Sequence, residues 1–194
     1  MDSPSLPIEE IRGELLDALQ APSPRILLKA PTGSGKSTGV PPMMDDAGLG
    51  ERGLIVVVQP RRMAARLLAR HVARLRGVEL GKEVGYVVRF ERHISPRTRI
   101  AYVTDGMLER WLTERPALEG VSAVVFDEFH ERSLSGDLSL GRVLDLQEGP
   151  RPDMAVAVMS ATLEISGLRD YMGASCRVLE AHGRQYPVET VYRA

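Results

Sequence analysis

A short segment rich in glycine and hydroxyl residues follows the first apolar run of the chain. The stretch APTGSGKST, at 30–38, matches the phosphate-binding loop pattern except that Ala30 stands where the strict pattern has glycine. Gly33 and Gly35 allow a tight turn that directs backbone N–H groups at phosphate oxygens. Lys36 adds a positive charge for the β- and γ-phosphates, and the next hydroxyl suits Mg²⁺. The residues predicted to bind a nucleotide are Thr32, Gly33, Ser34, Gly35, Lys36, Ser37 and Thr38.

Two adjacent carboxylates end another apolar run, about ninety residues further on, in VVFDEFHERS at 124–133. Two acids at the end of a buried strand require a positive partner, and Mg²⁺ together with Lys36 would supply one. In phosphate-loop nucleotidases an acid at this position holds Mg²⁺. We therefore assign Ser37 and Asp127 to the metal, with Glu128 contacting it partly through water. Glu128 is also the candidate general base that activates the attacking water.

The two residues after the acids are interpreted separately. Phe129 carries no group that the chemistry needs, so we predict that it packs against the sheet or against the strand at 154–160. His130 is a candidate catalytic residue, although a histidine after a strand also commonly caps a helix or bonds locally. A histidine–cysteine metal site is disfavoured because the four histidines are scattered and Cys176, the only cysteine, is distant.

Apolar runs alternate with amphipathic segments along the chain. Buried strands are predicted at 25–30, 53–59, 99–104, 121–126 and 154–160, with a weaker one at 176–181. Helices are predicted at 8–19, 61–76, 107–112 and 134–146, and Ala64, Leu68, Val72 and Leu75 share one face of the second. Strands that are apolar on both faces and separated by helices indicate an α/β domain with a mostly parallel central sheet and helices on both faces. Pro41 and Pro42 predict that the helix after the phosphate loop starts late or bends.

The composition of the 194 residues limits the class of protein. The formal net charge is −1, which neither demands nor excludes nucleic acid, but a block between Pro60 and Val78 holds six arginines and no acid. One cysteine permits no intrachain disulfide and favours a reducing compartment. The N-terminus lacks the apolar run of a signal peptide, and the longest apolar runs are too short to cross a membrane. We therefore expect a cytoplasmic protein with no membrane partner.

The motifs GSGKS, QPRR, TDGML, DEFHERS and MSATL occur in the order found in the DEAH-box group of superfamily 2 helicases. VGYVVRFE, at 84–91, and GRQYPVE, at 183–189, are similar to connecting stretches of that group. Phenylalanine within DEFH resembles the bacterial HrpB-type ATP-dependent helicases in particular. The resemblance implies a RecA-like phosphate-loop domain at 23–194, preceded by a helical lead-in at 1–22. It also implies an RNA-dependent NTPase whose second RecA-like domain, a partner in hydrolysis, is absent from this chain.

The same resemblance implies roles for further residues. Two motifs would contact the backbone of single-stranded nucleic acid, expected to be RNA, through Pro60, Arg61, Arg62, Thr104, Asp105 and Gly106. His130 would help couple the nucleotide to Ser160, Ala161 and Thr162, which would transmit its state to domain movement. Those three residues could also be only a strand end with a hydroxyl cap. The arginines at 66, 70, 74 and 76 are expected to form a solvated helix face.

One position departs from the family pattern. His71 stands where related helicases stack adenine on an arginine, and a histidine can stack without a permanent charge. Base preference therefore stays open, and ATP or another NTP is the expected ligand. Two other functions also stay open, namely a phosphate-loop phosphotransferase and an ATP-gated nucleic-acid-binding module without useful turnover. The phosphotransferase hypothesis does not explain SATL or TDGML.

Overall fold

The computed structural model describes residues 6–162 and 165–182, and the stretch at 183–189 lies outside them. Eight strands form one sheet, in the order β4-β3-β5-β2-β6-β7-β1-β8. The strands are β1 Arg25–Lys29, β2 Leu54–Gln59, β3 Val84–Val88, β4 Glu91–His93, β5 Ile100–Thr104, β6 Val121–Phe126, β7 Ala155–Ser160 and β8 Arg177–Glu180. All neighbours pair in parallel except β3 and β4. All six predicted strands are present. β3 lies within the stretch at 84–91 that resembles a connection, β4 begins at its last residue, and the sequence pattern predicts neither strand.

The described residues also form seven α-helices and two short 3₁₀ turns, which precede or connect the strands. The helices are α1 Arg12–Leu19, α2 Lys36–Asp46, α3 Leu49–Arg52, α4 Arg62–Leu75, α5 Asp105–Glu114, α6 Leu134–Glu148 and α7 Ile165–Met172. We call the 3₁₀ turn at Pro7–Ile11 the N-terminal turn and the one at Phe129–Glu131 the DEFH turn. The predicted helix at 8–19 is therefore a 3₁₀ turn followed by α1.

Two hydrophobic clusters lie on opposite faces of the sheet. One contains side chains from the N-terminal turn, α1, α2 and α4, such as Ile8, Leu15, Met43 and Val72. The other contains side chains from α5, α6 and the DEFH turn. Helices therefore cover both faces, as the alternation of apolar runs and amphipathic segments predicted. No helix among the described residues is long and apolar enough to cross a membrane.

Helix α2 does not begin late, which contradicts one of the two outcomes predicted from its prolines. It begins at Lys36 and includes Pro41 and Pro42. Because Pro41 has no N–H, the Ser37 carbonyl loses its usual donor four residues on. The Tyr102 hydroxyl of β5 donates to that carbonyl across 2.8 Å. A side chain from a neighbouring strand thus replaces the missing helical hydrogen bond.

The buried face of α4 also differs from the prediction. Its fully buried residues are Ala65, Ala69, Val72 and Ala73. Leu75, which was expected in the core, is 62% exposed. Residues at i, i+4 and i+7 share a helix face, and small alanines let the helix lie close to the sheet. The predicted face is right for Val72, and Leu68 is partly buried against the core, but alanines at 65, 69 and 73 complete the buried stripe in place of Leu75.

The arginines of α4 and its C-terminus are not simply solvated. Arg66 pairs with Glu91 of β4. Arg76 donates to Asp45 across 2.9 Å and to Asp46 across 3.0 Å, both at the end of α2. These ion pairs join α4 to α2 and to the β3–β4 hairpin. The expectation of a solvated face is therefore wrong for Arg66 and Arg76.

Candidate active site

The predicted site residues lie along one edge of the sheet. The phosphate loop follows β1, Pro60 follows β2, Thr104 ends β5, Asp127 follows β6 and Ser160 ends β7. These five strands are neighbours in the sheet and run in parallel. Their carboxyl ends therefore share one edge, where α/β folds commonly bind ligands.

The phosphate loop leaves several backbone donors available for an anion. Gly33 and Gly35 adopt left-handed conformations, with φ of 80° and 91°, that glycine tolerates best. Helix α2 begins immediately after Gly35. Among the described residues, the N–H groups of Gly33, Gly35, Lys36 and Ser37 make no hydrogen bond to another protein group. The buried Ser34 hydroxyl is also unpartnered. Unpaired donors at the start of a helix fit a phosphate group.

Lys36 brings the phosphate loop and the acidic strand end together. Its side chain is only 3% exposed, and its ammonium lies 2.9 Å from a carboxylate oxygen of Glu128. No other ion pair of Lys36 occurs within the described part of the chain. The structure therefore pairs the two groups predicted to act on the phosphates from separate segments.

Asp127 is a buried carboxylate with a defined orientation. The side-chain amide of Gln59 donates to one of its oxygens across 2.6 Å, and the N–H of Glu128 donates to the other across 2.9 Å. Burial raises the pKa of Asp127, while the Ser37 hydroxyl and the Gln59 amide lower it. Gln59 was missed in the sequence, although a polar residue ending the apolar run LIVVVQ was a visible signal.

The start of the DEFH turn brings the side chains of Glu128 and His130 close together. Glu128 has a left-handed conformation with φ of 49°, which is uncommon for a residue with a side chain. Its second carboxylate oxygen lies 3.4 Å from Nδ1 of His130. Glu128 thus lies between a lysine and a histidine. Such backbone outliers cluster at functional sites, and this one orients the carboxylate of Glu128 towards Lys36.

Phe129 packs as predicted. It is largely buried, and its ring meets the ring of Phe126 edge to face, with centroids 6.0 Å apart. The same hydrophobic cluster includes Val158 of β7. The aromatic residue between the acids and His130 therefore anchors the DEFH turn to the sheet.

The end of β7 lies beside the start of the phosphate loop. The Ser160 carbonyl accepts a hydrogen bond from the N–H of Ala30 across 3.0 Å. The Ser160 hydroxyl, fully buried, accepts one from the N–H of Thr162 across 3.3 Å. Thr162 and His130 both line a cavity of about 590 Å³ beside α6 and α7. The segment at 160–162 thus contacts the phosphate-loop segment directly, while its coupling role stays a prediction.

The two segments predicted to bind nucleic acid lie next to each other. Arg62, Thr104 and Gly106 line a surface depression of about 410 Å³, together with Pro60, Met107 and two further arginines, Arg89 and Arg110. Sequence reasoning missed both of those arginines. Arg89 lies in the stretch that had been interpreted as a connection, and Arg110 occurs in a helix with mixed charges. Three guanidinium groups around one depression suit a phosphate backbone.

The other two predicted nucleic-acid residues make contacts with the segment after Asp127. Arg61, 72% exposed, donates to the Glu131 carboxylate across 3.1 Å. The Ser133 hydroxyl donates to Asp105 across 2.8 Å and also caps α6. Burial raises the pKa of Asp105. A cavity of about 180 Å³ between these segments is lined by Pro60, Asp105, Asp127 and Glu131, among others.

The hydrogen bond that His71 makes lies within α4. It is exposed on α4, and Nδ1 accepts a hydrogen bond from Arg74 across 3.0 Å. With Arg70, Leu67 and Leu68 it lines a shallow depression. No hydrogen bond joins His71 to the phosphate loop within the part of the chain that the structure describes. Stacking of a base on His71 therefore stays a prediction.

Comparison with known proteins gives consistent matches. The model of the DEAD/DEAH box helicase family matches residues 10–171. The ATP-dependent RNA helicase HrpB of Escherichia coli strain K12 is 43% identical over 188 residues, which cover 97% of this chain and 23% of that protein. The ATP-dependent RNA helicase DHX33 of Mus musculus is 41% identical over 193 residues, covering 97% and 27%.

A solved structure agrees with the fold. The crystal structure of the E. coli DExH-box NTPase HrpB superimposes with a TM-score of 0.88 at 42% identity, covering 97% of this chain and 23% of that one. The predicted RecA-like α/β fold is thereby confirmed. The chain spans about a quarter of the length of these relatives. Motif order, fold and family match agree, and the chain belongs to the DEAD/DEAH box helicase family.

Proposed function

We propose that this chain is the ATP-binding half of an ATP-dependent RNA helicase. Residues 23–194 form the RecA-like domain that binds and hydrolyses Mg-NTP, and 1–22 form its helical lead-in. A second RecA-like domain of a longer protein completes the site, and single-stranded RNA couples to it. The observation that carries this proposal is the 2.9 Å contact between Lys36 and Glu128 beside the unpaired N–H groups of the phosphate loop.

The phosphate loop would hold the nucleotide through backbone and side-chain donors. The N–H groups of Gly33, Gly35, Lys36 and Ser37, which have no partner among the described residues, would donate to the β-phosphate. The Lys36 ammonium would contact the β- and γ-phosphates. Lys36 is buried and has a single carboxylate partner among the described residues, so it is poised to exchange that partner for a phosphate. Binding energy would therefore come from charge-assisted hydrogen bonds.

Ser37 and Asp127 would hold the metal. Both are oxygen donors, which Mg²⁺ prefers, and Gln59 fixes the orientation of the Asp127 carboxylate. Bound Mg²⁺ neutralises charge that develops on the phosphate oxygens during transfer. Burial raises the pKa of Asp127, and a cation held beside this carboxylate would lower it again.

Glu128 would act as the general base. In the structure its carboxylate contacts Lys36 and lies near His130. When Lys36 turns to the phosphates, one oxygen of Glu128 becomes free to accept the proton of the attacking water. His130 then stabilises the orientation of Glu128 and connects it to the cavity shared with Thr162.

RNA would reach the basic depression formed by Arg62, Arg89 and Arg110. Contacts of this kind bind the backbone and give little sequence preference. Arg61 and Asp105 connect this surface to Glu131 and Ser133. A phosphate that draws Arg61 away from Glu131 would therefore alter the DEFH turn, which contains His130 and directly follows Asp127 and Glu128. This is a direct physical route from RNA binding to hydrolysis.

Calorimetric titration with MgATP tests the nucleotide site. Lys36→Ala should weaken binding by at least tenfold, because a charge-assisted hydrogen bond contributes about 1.5–3 kcal/mol. Lys29→Ala is the matched control, since Lys29 lies at the end of β1 but pairs with Glu180. If wild type and Lys36→Ala bound MgATP with equal affinity, the phosphate-loop assignment would be ruled out.

A further inference from the structure

The N-terminal turn contacts the phosphate loop directly. The N–H of Ile8 donates to the carbonyl of Ser34 across 3.1 Å. The Ile8 side chain is fully buried, while Leu6, just before the turn, is about half exposed. A segment at the beginning of the chain thus reaches the middle of the loop that follows β1.

A side chain at either of the two glycines that border this contact would meet Leu6 or Ile8. A Cβ atom on Gly35 would lie 2.8 Å from Cδ1 of Leu6, and one on Gly39 would lie 2.8 Å from Cγ2 of Ile8. Both distances are shorter than van der Waals contact. Leu6 and Ile8 therefore pack directly against the backbone of the loop and of the first turn of α2.

The hydrogen bond from Ile8 fixes the orientation of one particular peptide group. In a trans peptide the C=O and the following N–H point in opposite directions. Because the Ser34 carbonyl faces Ile8, the N–H of Gly35 faces away from the N-terminal turn. That N–H has no partner among the described residues. The contact thus holds a free donor on the side of the loop where phosphate is expected.

We propose that the N-terminal turn is a strap that positions the phosphate loop, with Leu6 and Ile8 as its positioning residues. This inference rests on the proposed nucleotide site and adds a part that the phosphate-loop pattern does not contain. The strap holds the Ser34–Gly35 peptide in the binding orientation before a nucleotide arrives. Its contribution is to nucleotide affinity, through preorganisation of a donor, in addition to the core packing of Ile8.

The affinity of the 194-residue chain for MgADP, measured by calorimetry, tests this role. Ile8→Pro removes the N–H donor and should weaken binding about tenfold, the order of magnitude of one misplaced hydrogen bond to a charged group. Ile8→Val retains the N–H and the Cγ2 atom and should restore most of the affinity. Ile11→Ala removes a buried side chain of the same turn and should lower the melting temperature without changing affinity.

Smaller changes keep the test decisive if Ile8→Pro does not fold. Leu6→Ala uncovers Gly35, and Gly39→Ala pushes Ile8 away, so each should weaken MgADP binding about threefold. Affinity equal to wild type in Ile8→Pro, or in both smaller variants, would overturn the strap. Loss of affinity in Ile11→Ala in proportion to its stability would also overturn it. Lys36→Ala separates the outcomes, because it loses binding whenever the nucleotide site is correct, whether or not the strap exists.

Discussion

Replacement of Glu128 by glutamine separates nucleotide binding from hydrolysis. Glutamine keeps the size of the side chain and can still accept a hydrogen bond from Lys36, but it has no negative charge and is a poor base. Lys36 would then be held less strongly by its present partner at 2.9 Å. We therefore expect Glu128→Gln to bind MgATP as tightly as wild type, or more tightly, while turnover is lost.

The structure sets the size of both effects. Glu128 is about a quarter exposed, so its ion pair with buried Lys36 contributes about 1 kcal/mol, the upper end for solvent-accessible pairs. Its removal should therefore tighten binding by up to about fivefold. Loss of a general base lowers turnover about 10²- to 10⁴-fold. The two changes have opposite signs, which a general loss of structure would not produce.

Two assays measure these effects. Calorimetry with MgATP on the 194-residue chain gives the affinity, and single-turnover hydrolysis in the longer protein with RNA gives the rate. Glu131→Gln is a matched control for affinity, because it removes the same charge from the DEFH turn at a residue that pairs with Arg61 instead of Lys36. Turnover of Glu128→Gln within a few-fold of wild type would refute the role of Glu128 as the base. If Glu128→Gln bound MgATP more weakly than Glu131→Gln does, the proposed exchange of Lys36 from Glu128 to the phosphates would be refuted.

Two further changes test the surface and the packing around the site. Arg61→Ala should weaken binding to single-stranded RNA and reduce the steepness of log affinity against log salt by about one, because one phosphate contact is lost. An unchanged slope in fluorescence titrations would show that RNA binds elsewhere. Phe129→Ala should destabilise the chain by about 3 kcal/mol in chemical denaturation, since it removes a buried ring. MgATP affinity should persist below the unfolding transition, and loss of affinity at unchanged stability would contradict an anchoring role.

Local patterns in the sequence predicted most of the fold. The strands at 25–30, 53–59, 99–104, 121–126 and 154–160 are apolar on both faces, so the burial of each could be inferred from composition alone. β3 and β4 were not predicted because VGYVVRFE, which ends in charged residues, covers β3 but only the first residue of β4. The two strands form an antiparallel hairpin, unlike the rest of the sheet. The stripe on α4 was predicted only in part, with Val72 buried but Leu75 exposed, because small alanines pack closely against the sheet.

The site was predictable where chemistry depends on short motifs. Lys36, Asp127 and Glu128 could be named because the spacing within each motif is fixed by its role. Their supporting contacts were not predictable, because residues far apart in sequence form them. Gln59 orients Asp127, Tyr102 satisfies the Ser37 carbonyl, and Ile8 holds the Ser34 carbonyl. Only the assembled sheet brings such residues together.

The rate of ATP hydrolysis, with and without single-stranded RNA, tests the central claim most directly. It should be measured for this chain alone and for a longer protein that carries the proposed second RecA-like domain, with Lys36→Ala as the inactive reference. We predict slow hydrolysis that RNA does not change for the chain alone, and RNA-stimulated hydrolysis for the longer protein. Equal stimulation of both proteins would contradict the view that this chain is half of the catalytic site. Nucleotide binding without hydrolysis by either would support an ATP-gated binding module instead.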